Sequence, residues 1–249
     1  MDTHHVPAGQ NHDDGQSQDG GENYDGGRSP RRLAAVLLVA GVAVSFAAGD
    51  LHPEGANAND HAAAFAEYAR SNLWIGVHLG QFAGMAALIA GLLVLGSVAG
   101  GASGRSYWTA RLGTWAAAAA LALYGALQAV DGVALKHSVD AWAAAKGAEK
   151  AVRFAAAEDT RWLEWGMRSY QSFVLGAALI LIGIAVGISR GFPRPVGYLM
   201  GLSEVAYLAQ GWIIGAEGFS SSNTVPTLAG IALILVWTVW LLASSLRRS

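Results

Sequence analysis

Long apolar runs constrain this chain more than any other feature. Six of them stand out, at about 33–49, 73–99, 108–135, 166–189, 196–216 and 226–245. A helix needs about 20 apolar residues to cross the hydrocarbon core of a bilayer. It also satisfies its own backbone hydrogen bonds there, which lipid cannot do. The expected fold is therefore all-α, a polytopic membrane protein with six transmembrane helices in one bundle over 33–246. Composition agrees, with 53% of residues hydrophobic and 14% charged, against about 25% charged in soluble domains. No stretch reads convincingly as a strand.

Direction follows from the arginines. Arg28, Arg31 and Arg32 precede the first run, Arg105 and Arg111 flank the second turn, Arg190 and Arg194 the fourth, and Arg247 and Arg248 follow the last run. These are alternate, short loops. The positive-inside rule puts them in the cytoplasm, with both termini. The opposite loops carry Asp50, Glu54, Asp60, Glu67, Asp140, Glu149, Glu158 and Asp159. Arg31-Arg32 before a short apolar run ending near Ala47-Ala48 also resembles a secretory signal, and cleavage there would leave five spans. Residues 1–32 are rich in Gly, Asp, Asn, Gln and Ser with almost no large apolar side chain. Such a segment cannot offset its ordering entropy and reads as a disordered cytoplasmic tail. His4, His5 and His12 lie in it without fixed geometry.

Residues 138–160 read as an extracytoplasmic helical loop, Ala-rich, with Glu149 and Arg153 at i, i+4. Trp74, Trp108, Trp162 and Trp165 fall at span ends, where amphipathic rings favour the interface. Glycine pairs at four-residue spacing, such as Gly80 and Gly84 or Gly197 and Gly201, let helices pack closely. Packing within one bundle is the simplest use, and an oligomer through these faces is the other. The prolines all fall outside span interiors, and no internal repeat is evident.

Polar residues inside the spans mark the candidate site. Tyr124, Gln128 and Asp131 share one face of the third span, and Glu164, Arg168 and Gln171 share one face at the start of the fourth. His78 and Gln81 occupy adjoining turns of the second, and Gln210 and Glu217 come from the fifth. At 1.5 Å per residue, His78, Asp131 and Arg168 fall at a common depth near the outer boundary, with Gln81, Gln128 and Gln171 one turn deeper. Charged groups facing lipid cost several kcal/mol, so they turn inward and find partners. Arg168 is the expected cationic centre, with Asp131 and Glu164 beside it. Glu204 stands alone near the middle of the fifth span as a proton-relay candidate, since desolvation favours the neutral form of an isolated carboxyl.

Some chemistries are excluded. The chain has no cysteine, so disulfides, thiolate metal sites and cysteine nucleophiles are absent. A net charge of −2 gives no reason to expect a nucleic-acid partner. There is no His-Glu-x-x-His pair, phosphate loop, dinucleotide fingerprint or Ser-His-Asp order. His78, Asp131, His137 and Glu164 supply imidazole and carboxylate donors of the kind zinc, iron or copper takes, although their spacing matches no established metal signature. Haem held by His78 and a second histidine is a related reading.

Trp74-x-x-x-His78 at the opening of the second span, after a loop carrying His52-Pro53, resembles a group of six-helix bacterial membrane proteins without a settled activity. The resemblance covers about 33–246 and implies architecture only. A preference for Ala, Gly and Arg over Lys fits a GC-rich bacterium, and hence a bacterial cytoplasmic (inner) membrane. Three functional readings follow. One is a polar pocket in the outer half of the bundle that binds a small polar or anionic ligand or supports its passage. Another is a membrane metal- or haem-binding redox protein or enzyme. The third is an accessory or scaffold protein whose polar layer only fixes helix packing.

Overall fold

The computed structural model describes Met1 and residues 28–247. The tail reading at 2–27, its three histidines and Arg248 lie outside the described residues, and 28–32, expected in that tail, are helical. Seven helices are present among the described residues: α1 (Arg28–Asp50), α2 (His61–Arg70), α3 (Trp74–Ala99), α4 (Gly104–Ala144), α5 (Ala148–Ile188), α6 (Arg194–Glu217) and α7 (Thr224–Arg247). The fold is all-α. By length and composition α1, α3, α4, α5 and α7 can cross a membrane, and the chain is a multi-pass helical membrane protein. Helix α6 falls short of the same hydropathy because Ser203, Glu204 and Gln210 interrupt it. Helix α1 begins at Arg28, five residues before the expected start of the first span, with Pro30 in its first turn, where a missing N–H costs nothing.

Exposed Leu79, Leu112, Ile184, Leu202, Val236 and Trp240 give the bundle an apolar outer surface suited to a lipid bilayer. Inside it, Leu38, Ile89, Leu92, Leu179, Ile182 and Trp237 form the main core. The glycine faces are used within the bundle. A Cβ on Gly41 would strike the backbone of Gly84 and Leu88, and one on Gly197 would strike Gly183 and Gly187. Gly211 and Gly215 bring α6 against Ser172 and Ser169 of α5.

Helices α4 and α5 have 41 residues each, about 60 Å at 1.5 Å per residue, roughly twice the hydrocarbon thickness. Their excess length stands beyond the bundle as a hairpin, so 138–160 is the tip of two long helices rather than one separate surface helix. Gly147 turns the tip with φ +59°, a conformation glycine adopts without penalty. Helix α2 lies on this hairpin. Asp60 caps its start by accepting from the Ala63 amide at 3.1 Å. The Glu67 carboxylate accepts from Gly55 and Ala56 at 3.0 and 2.8 Å, which pins the preceding loop. Phe65, Tyr68, Trp74, Leu135, Val139 and Ala157 make a second core there. The protein thus has a membrane bundle and a headpiece, each with its own apolar centre.

The arginine-bearing turns gather at the far end of the bundle. Arg31 donates to the Gly191 carbonyl at 3.0 Å and Arg32 to the Ser245 carbonyl at 3.5 Å.

Candidate functional site

The seam between headpiece and bundle is polar. Its central cation is Arg161 of α5, which is 4% exposed. Arg161 donates to Glu164 at 3.0 Å and to the Tyr68 hydroxyl at 3.1 Å, and it lies 3.9 Å from Asp131. Its guanidinium also sits over the rings of Tyr68, Trp165 and Phe219, contacts that favour a planar, weakly hydrated cation. The sequence pattern had assigned this place to Arg168, seven residues later. Apolarity begins at Gly166, so the fourth span was started there, whereas α5 runs unbroken from Ala148. The true register differs by two turns, about 10 Å. One sequence signal pointed to Arg161: it precedes Glu164, Arg168 and Gln171 on the same helical face.

Asp131 reaches the seam from a π-helical turn, Val130–Leu135, inside α4. Such turns add a residue to a helix and re-aim side chains, often at functional sites. The Trp74 indole donates to the Asp131 carbonyl at 3.0 Å. Gly132 lets α3 come close, since a Cβ there would meet His78 Cβ. His78 Nδ1 is 2.7 Å from the Trp74 carbonyl. Its Nε2 is 3.1 Å from Asp131 Oδ2, within ion-pair reach but without an aligned hydrogen bond. His52, Tyr68 and Trp74 stack beside it. Burial holds the His52 imidazole below its ordinary pKa, with the Asp131 carboxylate opposing. Burial likewise raises the Tyr68 hydroxyl, against the pull of Arg161.

The expected metal set does not assemble. His137 is exposed on α4, and among the described residues no three His, Asp or Glu side chains are placed to hold a metal ion. His78 also has no nitrogen free for haem iron, because Nδ1 faces the Trp74 carbonyl and Nε2 is buried against Asp131. Trp74 and Trp165, read as interfacial anchors, are each 1% exposed and belong to the interior.

Arg168 has a different setting. It is half-buried, and among the described residues its guanidinium has no carboxylate partner and no hydrogen bond. It lies over the Phe219 ring at 5.2 Å. Three adjoining cavities meet at it. The outermost, about 310 Å³, is lined by Glu54, Tyr68, Asp131, Arg161 and Glu164. The central one, about 340 Å³, passes Gln81, Tyr124 and Met85. A side branch of about 180 Å³ reaches Gln171, Gln210 and Thr227. The first two reach the lower end of the usual volume of small-molecule sites. Gly218, at φ +69° and with no room for a Cβ beside the Trp165 ring, ends α6, and Phe219 after it lies against both arginines.

Other expected residues divide. Gln81 and Tyr124 line the cavities, as do Gln171 and Gln210. Gln128 donates weakly to Gln81 at 3.4 Å and lines a separate apolar groove on the α3–α4 surface. Glu217 is an exposed cap that accepts from Ser220 at 2.7 Å, away from the cavities. Glu204 is fully buried beside Gly176 and Leu208, both carboxyl oxygens without a hydrogen-bond partner, and lies outside the cavities. No hydrogen bond among the described residues joins it to Tyr207.

No protein family, curated protein or solved structure matches the chain.

Proposed function

We propose that this is a six-span protein of a bacterial cytoplasmic membrane that binds an anionic ligand at Arg168, in cavities opening toward the outer side. The carrying observation is the contrast between two arginines on one helix. Arg161 is enclosed by two carboxylates and a tyrosine hydroxyl and fixes the headpiece to the bundle. Arg168, two turns along, faces the cavities without a direct ion pair or side-chain hydrogen bond among the described residues, and Glu54 and Glu164 share the outermost cavity with it. A half-buried cation inside a span carries a cost, and an anion in the cavity would remove it. Gln81, Gln171 and Tyr124 supply neutral hydrogen-bonding groups to orient that anion. The clustering of Arg31, Arg32, Arg190 and Arg194 at the opposite end supports a cytoplasmic assignment for that end. Helix α6, packed along α5, would then be the sixth span.

Inorganic phosphate is the simplest probe. In neutral maltoside micelles it is expected to raise the unfolding temperature saturably, with a stabilisation of about 2.7 kcal/mol at 100 times its Kd. Arg168→Gln should abolish that shift while leaving the phosphate-free stability within about 1 kcal/mol, because no built partner is lost. A phosphate shift that survives in Arg168→Gln, or no shift in the unaltered protein, would contradict the assignment.

A further inference from the structure

We infer that the ligand is an anionic amphiphile drawn from the bilayer, with one acidic headgroup at Arg168 and one apolar chain in the central cavity. This deepens the reading of Arg168 as an anion site and rests on it. The central cavity is not uniformly polar. Around Arg168 it presents Gln81, Tyr124 and Tyr207, whereas its deeper wall is Val42, Leu88, Ile231 and Ile234, with Ser45 beside them. Leu88 lies seven residues beyond Gln81 on α3, so the apolar part extends about 10 Å below the polar level. An apolar cavity does not hold water well and accepts apolar molecules instead. A hydrated inorganic anion would leave this part unfilled.

The lining also has two different mouths. Glu54, exposed in the loop after α1, borders the cavity on the side of the headpiece. Phe46, 44% exposed on α1, borders it on the membrane side. Helices α1 and α7 flank this second mouth through Val42 and Ile234 and are joined by the Arg32–Ser245 hydrogen bond at the far end. A molecule dissolved in the outer leaflet could therefore slide its chain between α1 and α7 while its headgroup stayed at the depth of Arg168. Cation and apolar wall are both needed: the guanidinium selects an acidic head, and the wall of Val42, Leu88 and Ile234 takes the chain. Single-chain carboxylates and phosphates share this chemistry.

The test uses the full chain in phosphatidylcholine nanodiscs, with thermal unfolding followed against inorganic phosphate, dodecyl phosphate, dodecanoate and dodecanol. Dodecyl phosphate is expected to act at an apparent Kd at least about ten-fold below that of inorganic phosphate, a gap of about 1.4 kcal/mol. Dodecanol should give no shift. Dodecanoate distinguishes the sources, matching dodecyl phosphate if a fatty acid is accepted and failing if a phosphate head is required. Ile234→Trp and, separately, Val42→Trp fill the apolar part of the central cavity and should remove the dodecyl phosphate shift while keeping that of inorganic phosphate. Equal Kd for the two phosphates, or an unchanged dodecyl phosphate shift in a folded tryptophan variant, would overturn the amphiphile and leave the anion site standing. Loss of every anion response would overturn the anion site itself.

Discussion

Replacing Arg161 with methionine is expected to destabilise the protein by about 3–5 kcal/mol, the cost of breaking a buried ion pair from one side. Methionine roughly fills the volume but leaves Glu164 and Asp131 buried without their cation. Both are under 10% exposed, so water cannot replace the lost partner. Arg161→Lys should not restore stability, because one ammonium lacks the planar fork that reaches both Glu164 and Tyr68. Reversible unfolding in mixed micelles reads these differences. A methionine variant within about 1 kcal/mol of the unaltered protein would show that Arg161 does not organise the seam.

The second large effect belongs to Trp74. Its alanine variant should lose about 3–5 kcal/mol, as large buried aromatics do. The indole is 1% exposed, stacks on Tyr68 and His78, and holds the Asp131 carbonyl in the π-helical turn. Trp74→Phe separates these contributions. It keeps most of the ring packing but removes the indole's hydrogen bond to that carbonyl, which costs about 0.5–1.5 kcal/mol. The same unfolding measurement decides. Equal losses in the two variants would place the whole effect on the hydrogen bond and contradict the packing role.

Much of the bundle was legible because lipid imposes a simple pattern. Apolar runs located the helices, and the glycine spacings marked faces that prove to be used at α1–α3 and α5–α6. The headpiece was not legible in the same way. Helix α2 is short and Ala-rich, and its stability comes from Asp60, Glu67 and a small aromatic core that only the tertiary fold assembles. The outer ends of α4 and α5 are amphipathic rather than apolar, so a hydropathy reading stops where the membrane stops. That is why the apolar pattern points to Arg168 rather than Arg161, and marks Trp74 and Trp165 as interfacial anchors. Within the site, the placement of His78 beside Asp131 and of Gln81 beside Gln128 follows from helical depth. The π-helical turn does not, because a local change of helical pitch leaves no periodic signature in a six-residue stretch. Glu217 was misplaced for a related reason: it sits on the right helix, but at an exposed terminus where its carboxylate bonds Ser220 instead of turning inward.

The division of labour between the two arginines carries the functional account. Heavy-anion diffraction tests it most directly: crystals of the full chain soaked in tungstate, a tetrahedral oxyanion with a strong anomalous signal, compared with crystals of Arg168→Gln. The account predicts an anomalous peak beside the Arg168 guanidinium, absent in the variant, with Arg161 still paired to Glu164. A peak at Arg161, or an empty cavity with Arg168 folded onto a carboxylate, would contradict it.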